Sequence, residues 1–90
     1  MLEQTFKIEY KSGTVDHVVA GLSEYIGVEK HFGKPIGADT GITTMAYMAY
    51  LAARAAAVEA NPKKPFASFD TWHTTVKALE VVSGDEVNPT

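Results

Sequence analysis

The chain has 90 residues, 46% of them hydrophobic and 21% charged, which favours one globular domain over a disordered or fibrous chain. The formal net charge of -3 and the scattered basic residues argue against nucleic acid as a partner, because phosphate binding needs a basic patch. The absence of cysteine excludes disulfides and thiolate chemistry, and the N-terminus lacks the pattern of a signal peptide. The absence of cysteine does not fix the compartment, but both features fit an intracellular protein.

The first predicted elements form a β-hairpin. Thr5 to Tyr10 alternates apolar and polar side chains, which indicates a half-buried strand, and Lys11-Ser12-Gly13 supplies a turn. The β-branched stretch Val15 to Val19 supplies the second strand. Apolar residues from Val15 onward also recur at helical spacing, so a single helix from about Val15 to Phe32 remains the alternative.

Two helices are predicted in the middle of the chain. The first begins with Ser23 as N-cap and ends at Gly33, and a loop rich in glycine and proline follows from Lys34 to Gly41. The second runs from Ile42 to Glu59 and is the strongest predicted element, because Asn61-Pro62 ends it clearly.

A third helix is predicted to begin with Ser68 as N-cap and to end at Gly84. Its apolar residues recur at helical intervals: Phe69, Trp72, Val76 and Leu79. The predicted fold class is therefore α+β and mostly helical, with an N-terminal β-hairpin followed by three α-helices. Residues 1–84 form a single small globular domain in this prediction, and residues 85–90 an acidic flexible tail.

No set of residues has the spacing of a catalytic or metal-binding site. His17, His31 and His73 are too far apart in the sequence for a helical metal site. Asp70 and His73 lie three residues apart, as ordinary neighbours on a solvated helix face do. There is no GxSxG motif and no phosphate-binding glycine loop. The sequence therefore predicts no enzymatic activity, no metal and no cofactor.

The helix from Ile42 to Glu59 is unusual because Arg54 and Glu59 are its only charged residues. These charges and its alanine content argue against a membrane span. A helix that is apolar nearly all round is normally buried, and a small domain has few elements with which to cover it. Two interpretations stay open: the hairpin and the other helices cover this helix, or a partner does.

Two segments carry a family resemblance: MAYMAYLAARAAAVEANPKKPFASFDTWHTTVKALEVV with the acidic tail after it, and YIGVEKHFGKPIG upstream. They resemble the tail assembly chaperones of long-tailed phages, especially those of actinobacteria. That family has an aromatic, alanine-rich helix, a connector, an FxxW helix and an acidic tail. The matching residues here are Tyr47, Tyr50, Leu51, Phe69, Trp72, Val76, Asp85 and Glu86, with Glu29, Phe32 and Gly33 upstream. The chain departs from the family in having small alanines where many members have larger side chains.

The resemblance implies a holdase that binds the tape measure protein, has the tail tube protein as a second candidate partner, and self-associates. It also implies a location in the host cytoplasm and absence from the mature virion. A tape measure protein is a long helix with apolar stripes, which a groove on a small protein can shield. The client-binding residues that we predict are Met45, Tyr47, Met48, Tyr50, Leu51, Phe69 and Trp72.

Two other classes of function stay open. Three short helices after a hairpin suggest a winged-helix-like regulatory or DNA-binding module, but the negative net charge and the lack of a basic recognition helix count against it. A small enzyme or enzyme subunit would need polar groups that converge on a pocket, and the sequence shows no such set.

Overall fold

The computed structural model describes residues 3–33 and 41–82. One antiparallel sheet has the strand order β2-β1-β3 and is built from β1 (Gln4–Tyr10), β2 (Val15–Ala20) and β3 (Val76–Val82). The α-helices are α1 (Leu22–Phe32), α2 (Ile42–Ala60) and the short α3 (Phe69–Trp72), which the 3-10 turn His73–Thr75 joins to β3. The two longer helices cover one face of the sheet, and the core lies between the helices and that face.

The predicted β-hairpin is confirmed. Phe6 and Ile8 lie on the helix side of β1 and are fully buried, whereas Lys7 between them is paired with His17 of β2. Gly13 has a φ of 99°, a backbone conformation that glycine adopts without strain, and the chain reverses there. Because residues 15–20 form a strand, the alternative of one helix over residues 15–32 is wrong.

Helix α1 begins earlier than predicted. Its N-cap is Gly21 rather than Ser23. The Gly21 backbone N–H donates a hydrogen bond of 2.7 Å to the Glu24 carboxylate, which stabilises this helix start. Its C-terminal end is as predicted, because Gly33 has a left-handed φ of 74°. Residues 34–40 of the predicted loop lie outside the described residues, and Gly41 is the N-cap of α2.

Helix α2 confirms the predicted long helix and extends it by one residue to Ala60. Its middle, residues 48–53, is buried throughout. Helix α1 approaches this buried stretch at Gly27, where an added Cβ would lie 2.8 Å from Leu51 Cδ1. A larger residue at this position would therefore push against the buried Leu51 side chain.

The third predicted helix is wrong beyond its first turn. Ser68 acts as N-cap, as predicted, but the α-helical segment ends at Trp72. The hydroxyls of Thr74 and Thr75 then donate to the carbonyls of Thr71 and Trp72, each at 2.7 Å. These threonines occupy the carbonyls that a continuing helix would use, and the chain leaves the helix after Thr75.

Residues 76–82 form β3 instead of a helix, because they are rich in valine and because β1 offers them an open edge. The pairing runs from Thr5 opposite Val82 to Tyr10 opposite Val76, with a bulge at Glu9/Tyr10. The fold is thus α+β with a C-terminal strand beside β1, and not a hairpin followed by three helices. The predicted helix end at Gly84 and the predicted tail at residues 85–90 lie outside the described residues.

Candidate protein-binding surface

Tyr50 is the centre of an aromatic cluster between α2 and the segment that follows it. Its ring lies 5.5 Å from those of Phe69 and Trp72 and 5.8 Å from that of Phe66, measured between ring centroids. Its hydroxyl donates to the Ala67 carbonyl at 2.6 Å. Tyr50 is thereby buried with its polar atom satisfied, and it holds residues 66–72 against α2.

Trp72 fixes the same segment to the sheet. Its indole Nε1–H donates to the Tyr10 phenolic oxygen at 3.2 Å, and the two rings meet edge to face. Burial raises the pKa of the Tyr10 phenol above its ordinary value. The Trp72 N–H lowers that pKa in part, and the negative charge of Asp16 raises it further. Tyr10 is therefore held as a neutral acceptor for Trp72.

A row of rings reaches the surface above this buried cluster. The His31 ring stacks on the Tyr47 ring at 4.1 Å, the Tyr47 ring meets Phe69 at 5.1 Å, and Phe69 meets His73 at 5.3 Å. Phe32 packs edge to face on Tyr47 at 5.7 Å. We call these five residues, His31, Phe32, Tyr47, Phe69 and His73, the aromatic strip. Both histidines are exposed and the other three rings are half-buried.

The residues that the sequence suggested for client binding fall into two groups in the fold. Four are buried in the chain's own core, namely Met48 (1% exposed), Tyr50 (4%), Leu51 (7%) and Trp72 (4%). The other three are half-buried at the edge of that core: Met45, Tyr47 and Phe69. The four buried residues lie in the core under the surface and are not accessible to a client. Of the three half-buried residues, Tyr47 and Phe69 belong to the aromatic strip.

Three members of the aromatic strip were not among the predicted binding residues: His31, Phe32 and His73. The adjacent rings of His31 and Phe32 at the end of a helix were the available signal. These two rings alone do not indicate a binding surface, because the ring on which His31 stacks belongs to Tyr47 on another helix. His73 lies against Phe69 one turn earlier in the chain, and an apolar stripe alone does not mark it.

Among the described residues, cavities also open away from the aromatic strip. A groove of about 270 Å³ runs between β2 and the C-terminal half of α2, lined by Tyr10, Asp16, His17, Val18, Ala53, Ala56, Ala57 and Phe66. A shallower cavity of about 580 Å³ lies beside the hairpin turn, lined by Tyr10, Lys11, Ser12, Thr14, Thr74 and Thr75. Across residues 3–33 and 41–82, no three histidine, aspartate or glutamate side chains converge in a way that would hold a metal ion.

No model of a protein family, no curated protein and no solved structure matches this chain. Within the part of the chain that the structure describes, no helix combines the length and the apolar character that crossing a bilayer demands.

Proposed function

We propose that this protein is a non-enzymatic tail assembly chaperone that binds a tape measure protein, with the tail tube protein as a second candidate partner. It acts in the host cytoplasm, holds its client in solution until the tail tube assembles, and is left out of the mature virion. The observation that carries this proposal is the aromatic strip, which exposes a continuous row of rings on a small acidic protein.

The chemistry of the aromatic strip suits a protein partner. Aromatic rings are enriched at protein interfaces, and they give a large contact area with few rotatable bonds to restrict. The rings of Tyr47 and Phe69 also pack on buried Tyr50, whose own position is fixed by its hydrogen bond to Ala67. The surface is therefore formed before the client arrives, which reduces the entropy lost on binding.

An amphipathic helix is the client shape that this surface fits. Such a helix presents apolar side chains at intervals of three and four residues, and it lays that face on an apolar surface of the partner. The two exposed histidines, His31 and His73, lie at the ends of the strip, where a bound helix leaves polar groups in water. The net charge of -3 on the chain favours its solubility.

Co-expression with the tape measure protein from the same genome tests the proposal. We expect the client to stay soluble and to co-elute with this protein, whereas the client alone precipitates. A client that precipitates equally with and without this protein would show that the proposed function is wrong.

A matched pair of variants tests whether the aromatic strip is the binding surface. The double variant His31→Ser with Tyr47→Ser removes two stacked rings. Because a few aromatic residues commonly supply most of the binding energy of an interface, we expect the yield of soluble client to fall by about tenfold. Val58→Ser is the control, because Val58 is 43% exposed and lies three turns further along α2. If the double variant keeps a wild-type circular dichroism spectrum and still holds the client fully, the strip is not the site.

The winged-helix-like alternative depended on three helices after the hairpin. In the fold, the third of these is one turn that leads into β3, so no structural observation favours that class.

A further inference from the structure

The outer edge of strand β3 is open in the part of the chain that the structure describes. β1 is the central strand of the sheet. β3 pairs with β1 along one of its two edges, and no described strand pairs with its other edge. The backbone N–H and C=O groups of β3 that point away from β1 are therefore available to another extended strand. An extended strand is the partner that fits this edge best, because it pairs with the whole row of backbone groups.

The two edge strands of the sheet differ in one respect that controls pairing. β2 carries Asp16 opposite Ile8, on the side of the sheet that faces the helices, and it lines the groove beside α2. A charge that points inward on an edge strand opposes pairing with a further strand, because pairing would bury it. β2 is thus protected by its own sequence.

β3 has no charged residue on its helix side. The residues of β3 that lie on the helix side, opposite buried Phe6 and Ile8, are Val81 and Leu79. Val81 is 41% exposed although its cross-strand neighbour Phe6 is fully buried. The helices pack mainly over β2, so the apolar side of β3 is only partly covered by the described chain: Leu79 is half-buried against the core, whereas Val81 is exposed.

The other side of β3 carries charges of both signs. The bulge places Lys77 and Ala78 together opposite Glu9, and the Lys77 Nζ lies 3.7 Å from Glu9 Oε2. Glu80 lies on the same side, opposite Lys7. A positive and a negative residue therefore follow each other along one exposed side of the edge strand.

We propose that β3 pairs antiparallel with β3 of a second copy of this chain, about a two-fold axis at Leu79, so that two three-stranded sheets become one. Leu79 then faces the partner's Leu79 on the helix side. Glu80 faces the partner's Ala78 on the other side and lies beside the partner's Lys77, and the two-fold axis repeats this contact.

The charges favour a second copy as the occupant, and they favour the register at Leu79 over one centred on Glu80. An isologous contact needs a self-complementary surface, and β3 supplies it with Lys77 and Glu80 on one side and apolar residues on the other. A register that centres on Glu80 sets that residue opposite its own copy, and like charges directly opposite each other are destabilising. The register at Leu79 avoids that repulsion and instead places Glu80 of each copy beside Lys77 of the other copy.

The dimer is tested on the purified chain without client, so that its failure is distinguishable from failure of the chaperone function. We expect sedimentation equilibrium to give a concentration-dependent monomer–dimer equilibrium. Val81→Lys places a charge on the helix side of β3, as Asp16 does on β2, and should raise the dimer Kd by at least about tenfold. Val19→Lys is the control, because Val19 is 53% exposed on β2 and should leave the Kd unchanged.

A charge exchange tests the register and does not depend on Val81. Lys77→Glu sets two acidic residues together across the interface, and so should raise the Kd by roughly 3- to 30-fold. Lys77→Glu with Glu80→Lys restores opposite charges and should bring the Kd back to within about threefold of wild type. A circular dichroism spectrum of each variant establishes that it is folded.

Four outcomes would overturn the proposal. They are a wild-type protein that remains monomeric at the highest soluble concentration, a folded Val81→Lys variant with unchanged Kd, an unchanged Kd for Lys77→Glu, and a charge-exchanged variant that does not recover. A wild type that is monomeric alone, but loses client binding on Val81→Lys, would assign this edge to a client strand and would equally overturn pairing between copies.

Discussion

The Trp72 indole N–H and the Tyr10 phenolic oxygen form a hydrogen bond of 3.2 Å between residues that are 62 positions apart in the sequence. This bond joins the turn that precedes β3 to the end of β1. It lies next to the bulge at Glu9/Tyr10, near the end of the β1–β3 pairing. The bond therefore helps to set where β3 begins.

Removal of the Tyr10 hydroxyl should destabilise the fold without changing the shape of the core. Tyr10→Phe leaves the Trp72 N–H without its acceptor, and we expect the free energy of unfolding to fall by about 0.5–1.5 kcal/mol. Urea denaturation followed by Trp72 fluorescence measures this change. No loss of stability would mean that the bond contributes nothing in solution.

The stability of the wild type should decline at alkaline pH through Tyr10. The folded protein raises the pKa of this phenol above the ordinary value of 10.0, so the unfolded chain loses the proton first as pH rises. Tyr10 thus contributes its full stabilisation below the unfolded pKa, and that contribution is lost as pH rises through the folded pKa. Urea midpoints measured from about pH 8 to about pH 11 should fall more steeply for wild type than for Tyr10→Phe. Equal slopes would show that the phenol is not perturbed.

Tyr50→Phe should lower the free energy of unfolding more than Tyr47→Phe does. Tyr50 is buried and its hydroxyl donates to the Ala67 carbonyl at 2.6 Å, so its loss should cost about 0.5–1.5 kcal/mol of unfolding free energy. The control is Tyr47→Phe, which keeps the ring of the aromatic strip, and we expect it to stay within about 0.5 kcal/mol of wild type. Thermal or urea unfolding of both variants makes the comparison, and equal effects would contradict it.

Gly27→Ala should destabilise the protein although alanine is the better helix former. An added Cβ would lie 2.8 Å from Leu51 Cδ1, and we expect the overpacking to cost about 1–3 kcal/mol. Leu51→Ala in the same chain removes the clashing atom. The double variant should therefore lose less unfolding free energy than the sum of the two single variants. Additive losses would show that the helices separate freely at this point.

The hairpin and α2 could be predicted from the sequence because their signals are local. Alternation of apolar residues around Phe6 and Ile8 fits a strand, and the long apolar run from Ile42 fits a helix. Gly33 was also recognisable as a helix end, because the left-handed conformation that it adopts is rare for other residues.

β3 could not be predicted in this way, because its apolar residues suit two structures. Trp72, Val76 and Leu79 recur at helical intervals, yet Trp72 packs from a helical turn and the other two from a strand with a bulge. The deciding factor is the open edge of β1, which lies far away in the sequence. A local pattern carries no information about that edge.

The aromatic strip was only partly predictable for a similar reason. Tyr47 and Phe69 stand out as aromatic residues, but their half-burial depends on packing between elements that are distant in the sequence. Where α1 packs on α2, Gly27 lies close to the Leu51 side chain. The exposed ring of His31 is placed on Tyr47 by this packing, and its sequence neighbours do not indicate it.

The position of β1 between β2 and β3 has a consequence for folding during synthesis. The contact of β1 with β2 closes a short loop and can form early, whereas its contact with β3 joins Thr5 to Val82 and raises the contact order. When the ribosome has synthesised α2 but has not yet released β3, the second edge of β1 in the nascent chain therefore stays exposed. Until β3 arrives, that edge is a site at which one growing chain can pair with another in place of its own strand.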